Sequence, residues 1–244
     1  MGENDNCVFY RYLGINFLFL LGVDMGFNGF CDIEDKGNNS PQWTNFDLFM
    51  RHAVPELMGG GIPYARRFKT AFVVHNRYTI IAAAQKYRLP PELLAGVAWI
   101  ESGGKPNSWK GEIYNQRIFR DGFYSGGKPA DRTSFGFLSM QIHTAAETLG
   151  LDPNTLGVEK QIQIALCLEH DTYIIDLAAR HLRMLADHDK FDVIGTEEVR
   201  VLGARYNQGI SRSLEQIKKD LSYGNFIVNN WHSYTLMLSG VTVE

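Results

Sequence analysis

The stretch YTIIAAAQKYRLPPELLAGVAWIESG, residues 78–103, decides the fold. Tyr78, Ile81, Ala82 and Gln85 recur at the i, i+3, i+4, i+7 spacing of an amphipathic helix, which Arg88-Leu89-Pro90 ends. A second helix begins at Pro90-Pro91, where proline suits the first turn and Glu92 complements the positive end of the helix dipole. Its apolar residues Leu93, Leu94, Val97, Ala98 and Ile100 run up to Glu101-Ser102, and Gly103-Gly104 stops it. Two helices and a proline turn thus end on a carboxyl group.

Working outward, residues 103–133 read as a long loop and residues 144–149 as a short helix. The longest helical run covers residues 159–188, breaking near His170-Asp171, with Ile162, Ala165, Leu166, Ile174, Ile175, Leu177, Ala178, Leu182 and Leu185 on its buried side. Helices follow at about 197–206 and 213–221. Residues 1–70 have another texture. Gly26-Phe27-Asn28-Gly29, Lys36-Gly37-Asn38-Asn39-Ser40-Pro41 and Gly59-Gly60-Gly61 punctuate short apolar pieces. The expected organisation is an irregular N-terminal region over residues 1–70 and a mainly α domain over residues 71–244.

Composition narrows the function. The chain has 244 residues, 24 Lys+Arg against 27 Asp+Glu and a net charge of −3, so no bulk charge draws it to nucleic acid or anionic lipid. With 45% hydrophobic residues it has ordinary globular composition. Three cysteines cannot build a disulfide framework; Cys7 and Cys31 are the pair that would join outside the cytosol. Residues 12–23 (YLGINFLFLLGV) form the most apolar run, but it is shorter than the about 20 residues of a membrane span. A basic start and a small-residue cleavage pattern are also missing, so the run reads as a buried element and the export route stays open.

Glu101 is the residue whose position carries chemistry. A helix C-terminus disfavours negative charge, and apolar neighbours such as Trp99 and Ile100 desolvate the carboxyl. Both effects raise its pKa toward that of a general acid working near neutrality. A solvated helix-terminal glutamate is the plain alternative.

Three segments in order turn that balance. Residues 78–103, ending in Glu101-Ser102, resemble the opening of the lytic transglycosylase catalytic domain. Ser134-Phe135-Gly136-Phe137-Leu138-Ser139-Met140-Gln141-Ile142, followed by Thr144-Ala145-Ala146-Glu147-Thr148-Leu149-Gly150, resembles that family's G-L-M-Q-I segment and the helix after it. Ala204-Arg205-Tyr206-Asn207-Gln208-Gly209 is similar to its A-x-Y-N-x-G motif. The resemblance covers residues 75 to about 235 and extends to goose-type lysozymes within the lysozyme-like superfamily.

The resemblance implies a lysozyme-like helical domain with a small β-ribbon in the cleft loop. Glu101 would protonate a glycosidic oxygen, with Tyr206 holding its carboxyl. Ser102, Gln141 and Asn207 would support or bind substrate. The glycine of the family's G-L-M-Q stands here at Gly136, and the spacing from Glu101 to Gln141 is unusually long. The extra length holds Trp109, Tyr114, Phe119, Phe123 and Tyr124, either sugar-stacking aromatics, Tyr124 foremost, or a satellite core.

Glycoside hydrolysis normally needs a second carboxylate, whereas lytic transglycosylases close the sugar's own C6 hydroxyl onto C1. Asp131, in Asp131-Arg132-Thr133-Ser134-Phe135-Gly136, resembles the water-positioning aspartate of the goose-type pattern and is the first candidate; Asp121 is weaker, and both also suit a solvated loop. Residues 24–35 partly follow a calcium-binding loop, but Gly26 and Asp35 depart from it, and an acidic turn accounts for them. The seven histidines show no zinc spacing.

The expected function is a cofactor-free, metal-free muramidase cleaving the MurNAc–GlcNAc β-1,4 bond of peptidoglycan. It would act in the periplasm or cell wall as an antibacterial effector or a phage lysis enzyme. Its partners would be glycan strands and an immunity or inhibitor protein, with no nucleic acid and no stable membrane insertion. The rival readings are a chitinase-like glycosidase and a non-catalytic glycan-binding or phage-tail protein of the same fold.

Overall fold

A computed structural model describes residues 30–31, 40–121 and 127–241. The chain is mainly α-helical. Within the described residues run α1 (Asn45–His52), α2 (Gly61–His75), α3 (Arg77–Lys86), α4 (Pro91–Glu101), α5 (Asn107–Asp121) and α6 (Ile142–Leu149). They are followed by α7 (Val158–Leu168), α8 (Asp171–His188), α9 (Thr196–Gln208), α10 (Leu214–Ile217), α11 (Ser222–Asn229) and α12 (Trp231–Leu238). Between α5 and α6 sits one antiparallel ribbon of β1 (Ser134–Phe135) and β2 (Met140–Gln141), pairing Ser134 with Gln141 and Phe135 with Met140.

Helix α4 is the hub. Leu93, Leu94, Ala95, Gly96, Val97 and Ala98 are all buried, and α2, α3, α8, α9, α11 and α12 pack around it. A helix apolar on every side can only be stable when wrapped in this way. A Cβ on Gly96 would lie 2.8 Å from Ile227 and 3.1 Å from Tyr234, so this glycine sets how closely α11 and α12 approach. A tighter crossing joins α9 to α11: a Cβ on Gly203 would stand 2.7 Å from the Gly224 Cα. This backbone-to-backbone contact brings Tyr206 and Tyr223 side by side, their ring centroids 6.4 Å apart. Arg205 locks α9 in place. Its buried guanidinium donates to both Asp189 carboxylate oxygens (2.5 and 2.7 Å) and to the carbonyls of Ile210 and Arg212.

Several expectations are corrected. The N-terminal region is not irregular throughout. Thr44 and Asp47 form a reciprocal capping box that starts α1, and Tyr64 Oη donates to Asp47 Oδ1 (2.7 Å). Helix α2 runs across position 70, and its Phe72 and Val73 are fully buried in the common core. Residues 107–121 are helical rather than loop, because Lys110, Tyr114 and Ile118, each one turn apart, all turn inward. Helix α3 buries Ile80, Ala83 and Ala84, while Tyr78 is exposed. With so many alanines two faces satisfied the same spacing, and the other one was buried. The helix expected over 213–221 shortens to α10.

Cys31 bonds to Cys167 in α7 rather than to Cys7, joining segments 136 positions apart. Residues 12–23, Cys7 and all but Phe30 and Cys31 of residues 24–35 lie outside the described residues. Among the described residues, no helix is long and apolar enough to cross a membrane.

Candidate active site

Glu101 is the last residue of α4, and Ser102 leaves the helix in an extended conformation. Burial is the main influence on its carboxyl and raises the pKa. Three groups oppose this: the Tyr223 hydroxyl, which donates to Glu101 Oε1 at 2.9 Å, and the ammonium groups of Lys69 and Lys110. The helix dipole contributes less than its position suggests. Lys69 Nζ donates to the terminal carbonyls of Trp99 (3.0 Å) and Ile100 (2.6 Å) while sitting over the Trp99 ring. That cation neutralises the negative end of the helix. Desolvation, not the dipole, keeps the acid protonated to higher pH.

Both lysines are unusual. Burial lowers the pKa of Lys69 to about 8 and that of Lys110 to about 8, with Glu101 pulling each back up. Lys110 Nζ donates to the Gly136 carbonyl (2.7 Å) and also feels Glu169, the residue that closes α7. Burial raises the Glu169 pKa to about 7, with Lys110 opposing. Gly136 has φ +65°, and a Cβ there would collide with the Leu168 carbonyl oxygen at 1.9 Å. The displaced glycine of the motif therefore packs the β-ribbon onto the end of α7, and Lys110 stitches the two together.

The residues picked out in sequence separate into groups. Tyr206 lies near Glu101, whose charge together with burial lifts its phenol well above the ordinary range. Its hydroxyl, however, donates to the Leu138 carbonyl (3.4 Å), and the bond to Glu101 comes from Tyr223. Ser102 is buried and donates to the Trp99 carbonyl (3.2 Å), so it finishes the helix rather than facing a ligand. Gln141 is half-buried at the start of α6 and does not use its side chain as the helix cap. Asn207 is exposed in the last turn of α9. Tyr124 and Phe123 lie outside the described residues.

Asp131 belongs to a different cluster. It sits in the 3-10 turn Ala130–Arg132, and His143 Nδ1 donates to its Oδ2 at 2.6 Å. The same ring accepts at Nε2 from Arg132 (3.0 Å) and lies 3.4 Å from Glu147. Asp121 is held at the other end of this loop by Arg120 and by the Ala130 amide. Among the described residues no group of three or more His, Cys, Asp or Glu side chains could hold a metal ion.

Sequence reading missed Tyr223, Lys69, Lys110 and Glu169. Only Lys110 left a trace, its one-turn spacing to Tyr114. The chain matches no protein-family model, no curated protein and no solved structure.

Proposed function

We propose that the protein is a peptidoglycan-cleaving muramidase with Glu101 as general acid. The observation that carries this reading is the Glu101 carboxyl itself: desolvated at the end of a buried helix, raised in pKa, and fixed at Oε1 by Tyr223. With Oε1 held, the proton resides on Oε2, from which it is delivered to the oxygen between MurNAc and GlcNAc. The C1–O bond then breaks, and positive charge develops on the muramic ring. Glu101, now a carboxylate, takes the proton from the C6 hydroxyl of that ring as O6 closes onto C1. One residue thus serves as acid and then base. This route is favoured over attack by water because Asp131 is engaged by His143, and the ionisable groups acting on Glu101 are Tyr223, Lys69 and Lys110.

The Cys31–Cys167 bond supports action outside the reducing cytosol, in the periplasm or wall. Glycan strands are the proposed substrate, and an immunity or inhibitor protein covering the cleft is the proposed protein partner.

Mass spectrometry of sacculi digested by the protein tests the reading. Products ending in 1,6-anhydro-MurNAc are expected, and Glu101→Gln should lower their yield at least about a thousandfold. Reducing ends would reinstate a second carboxylate. An absence of products would favour a non-catalytic glycan-binding protein.

A further inference from the structure

Immediately beyond Glu101-Ser102, the chain passes Gly103-Gly104 and borders a pocket of about 610 Å³ between α1 and the start of α5. Its walls include Leu48, Phe49, Arg51, His52, Lys105 and Trp109. Two features define what it can hold. First, Phe49 and Trp109 line it while remaining 56% and 48% exposed, so aromatic surface is open to a ligand. Second, every ionisable group in the lining is basic, in a chain whose net charge is −3. The acid on α1, Asp47, is buried and accepts from Thr44 and Tyr64, so its carboxylate does not line the pocket. Arg51 is fixed at the rim by donating to the Gly103 carbonyl (2.9 Å). Its charge also reaches Lys69, which in turn acts on Glu101.

A ligand with apolar surface to lie on Leu48, Phe49 and Trp109 and carboxylates to meet Arg51 and Lys105 fits such a lining. On a peptidoglycan strand the carboxylates lie on the peptide attached to the muramic ring, the same ring whose C1–O bond Glu101 would break. We propose that this pocket binds the acidic stem peptide, an inference that rests on the muramidase reading. Helix α1 then serves as a specificity element. It selects strands that still carry peptides over bare glycan.

The test compares uncross-linked glycan strands with their stem peptides against the same strands stripped by an amidase. The wild-type protein is expected to cleave the peptide-bearing strands faster. In the His52→Glu/Lys105→Glu variant, that preference should fall roughly tenfold, the scale of two acidic charges introduced at exposed positions, one of them in place of a lysine. Both side chains are exposed, so an unchanged thermal midpoint will certify the fold. Equal wild-type rates on the two substrates, or an undiminished preference in the variant, would overturn the stem-peptide site while leaving the muramidase reading intact. No product from either substrate would sink the muramidase reading and the pocket assignment with it.

Discussion

Glu101 and Glu169 make an instructive pair. Each stands where a helix ends, α4 or α7; each has its pKa raised by burial; and Lys110 acts on both. Burial takes the Glu169 pKa to about 7. Their surroundings differ. Glu101 has a phenol aimed at one oxygen and leads directly into the Gly103-Gly104 rim of a basic pocket. Glu169 follows the disulfide-bonded Cys167 by two positions and packs where the β-ribbon meets α7. A raised pKa alone therefore assigns no role: what separates the two acids is the Tyr223 phenol on Glu101 and the ribbon packed beside Glu169.

The largest effect expected on the Glu169 side comes from the strap beside it. In the chain-entropy account, a bond closing so long a loop restricts the unfolded chain strongly, and its loss costs about 2–5 kcal/mol. Cys31→Ser, or reduction by dithiothreitol, should lower the urea midpoint accordingly. An unchanged midpoint under reducing conditions would show that the described core holds α7 without the strap.

The two acids should also differ in which measurement reveals them. Glu169 is raised in the folded state, so it favours folding at low pH and loses that contribution as pH rises from about 4.5 to about 7. His181 acts the other way. Buried against Thr148, it is lowered to about 4, so its contribution is present at neutral pH and is lost as pH falls from about 6.5 to 4. The two slopes oppose each other and each is worth up to about 3 kcal/mol in total. Relative to wild type, the slope of stability against pH from urea unfolding between pH 4.5 and 6.5 should therefore become more positive in Glu169→Gln and more negative in His181→Gln. Slope changes of the same sign in both variants would contradict this placement of the two groups.

The sequence revealed whatever local spacing encodes. The proline turn before α4, its Gly-Gly stop and the break between α7 and α8 are all punctuation within a few residues. The buried positions from Ile162 to Leu185 fell where their period put them. Helix α5 was hidden because its inward face includes a lysine, and the partners that hold Lys110 there, the Gly136 carbonyl and Glu169, lie far along the chain. Glu101 was legible from its position at the end of an apolar helix. Its partner was not, since Tyr223 is 122 positions away and arrives through the Gly203–Gly224 crossing. Motif order pointed to Tyr206, a neighbour in the same stack.

That substitution of one tyrosine for another gives the smallest effect and the sharpest discrimination. Tyr223 donates to the ionised carboxyl and so lowers the Glu101 pKa against the burial that raises it. Tyr223→Phe should push that pKa further up and move the alkaline limb of the pH–rate profile for glycan cleavage toward higher pH. The rate should fall about tenfold, the scale of one lost hydrogen bond to a charged group. Tyr206→Phe loses only a long bond to the Leu138 carbonyl, so its limb should stay in place. Packing damage alone would lower the thermal midpoint of either variant without shifting a limb. A limb that moves in Tyr206→Phe and stays fixed in Tyr223→Phe would return the orienting role to the motif tyrosine and reject the hydrogen bond on which the distinction between Glu101 and Glu169 depends.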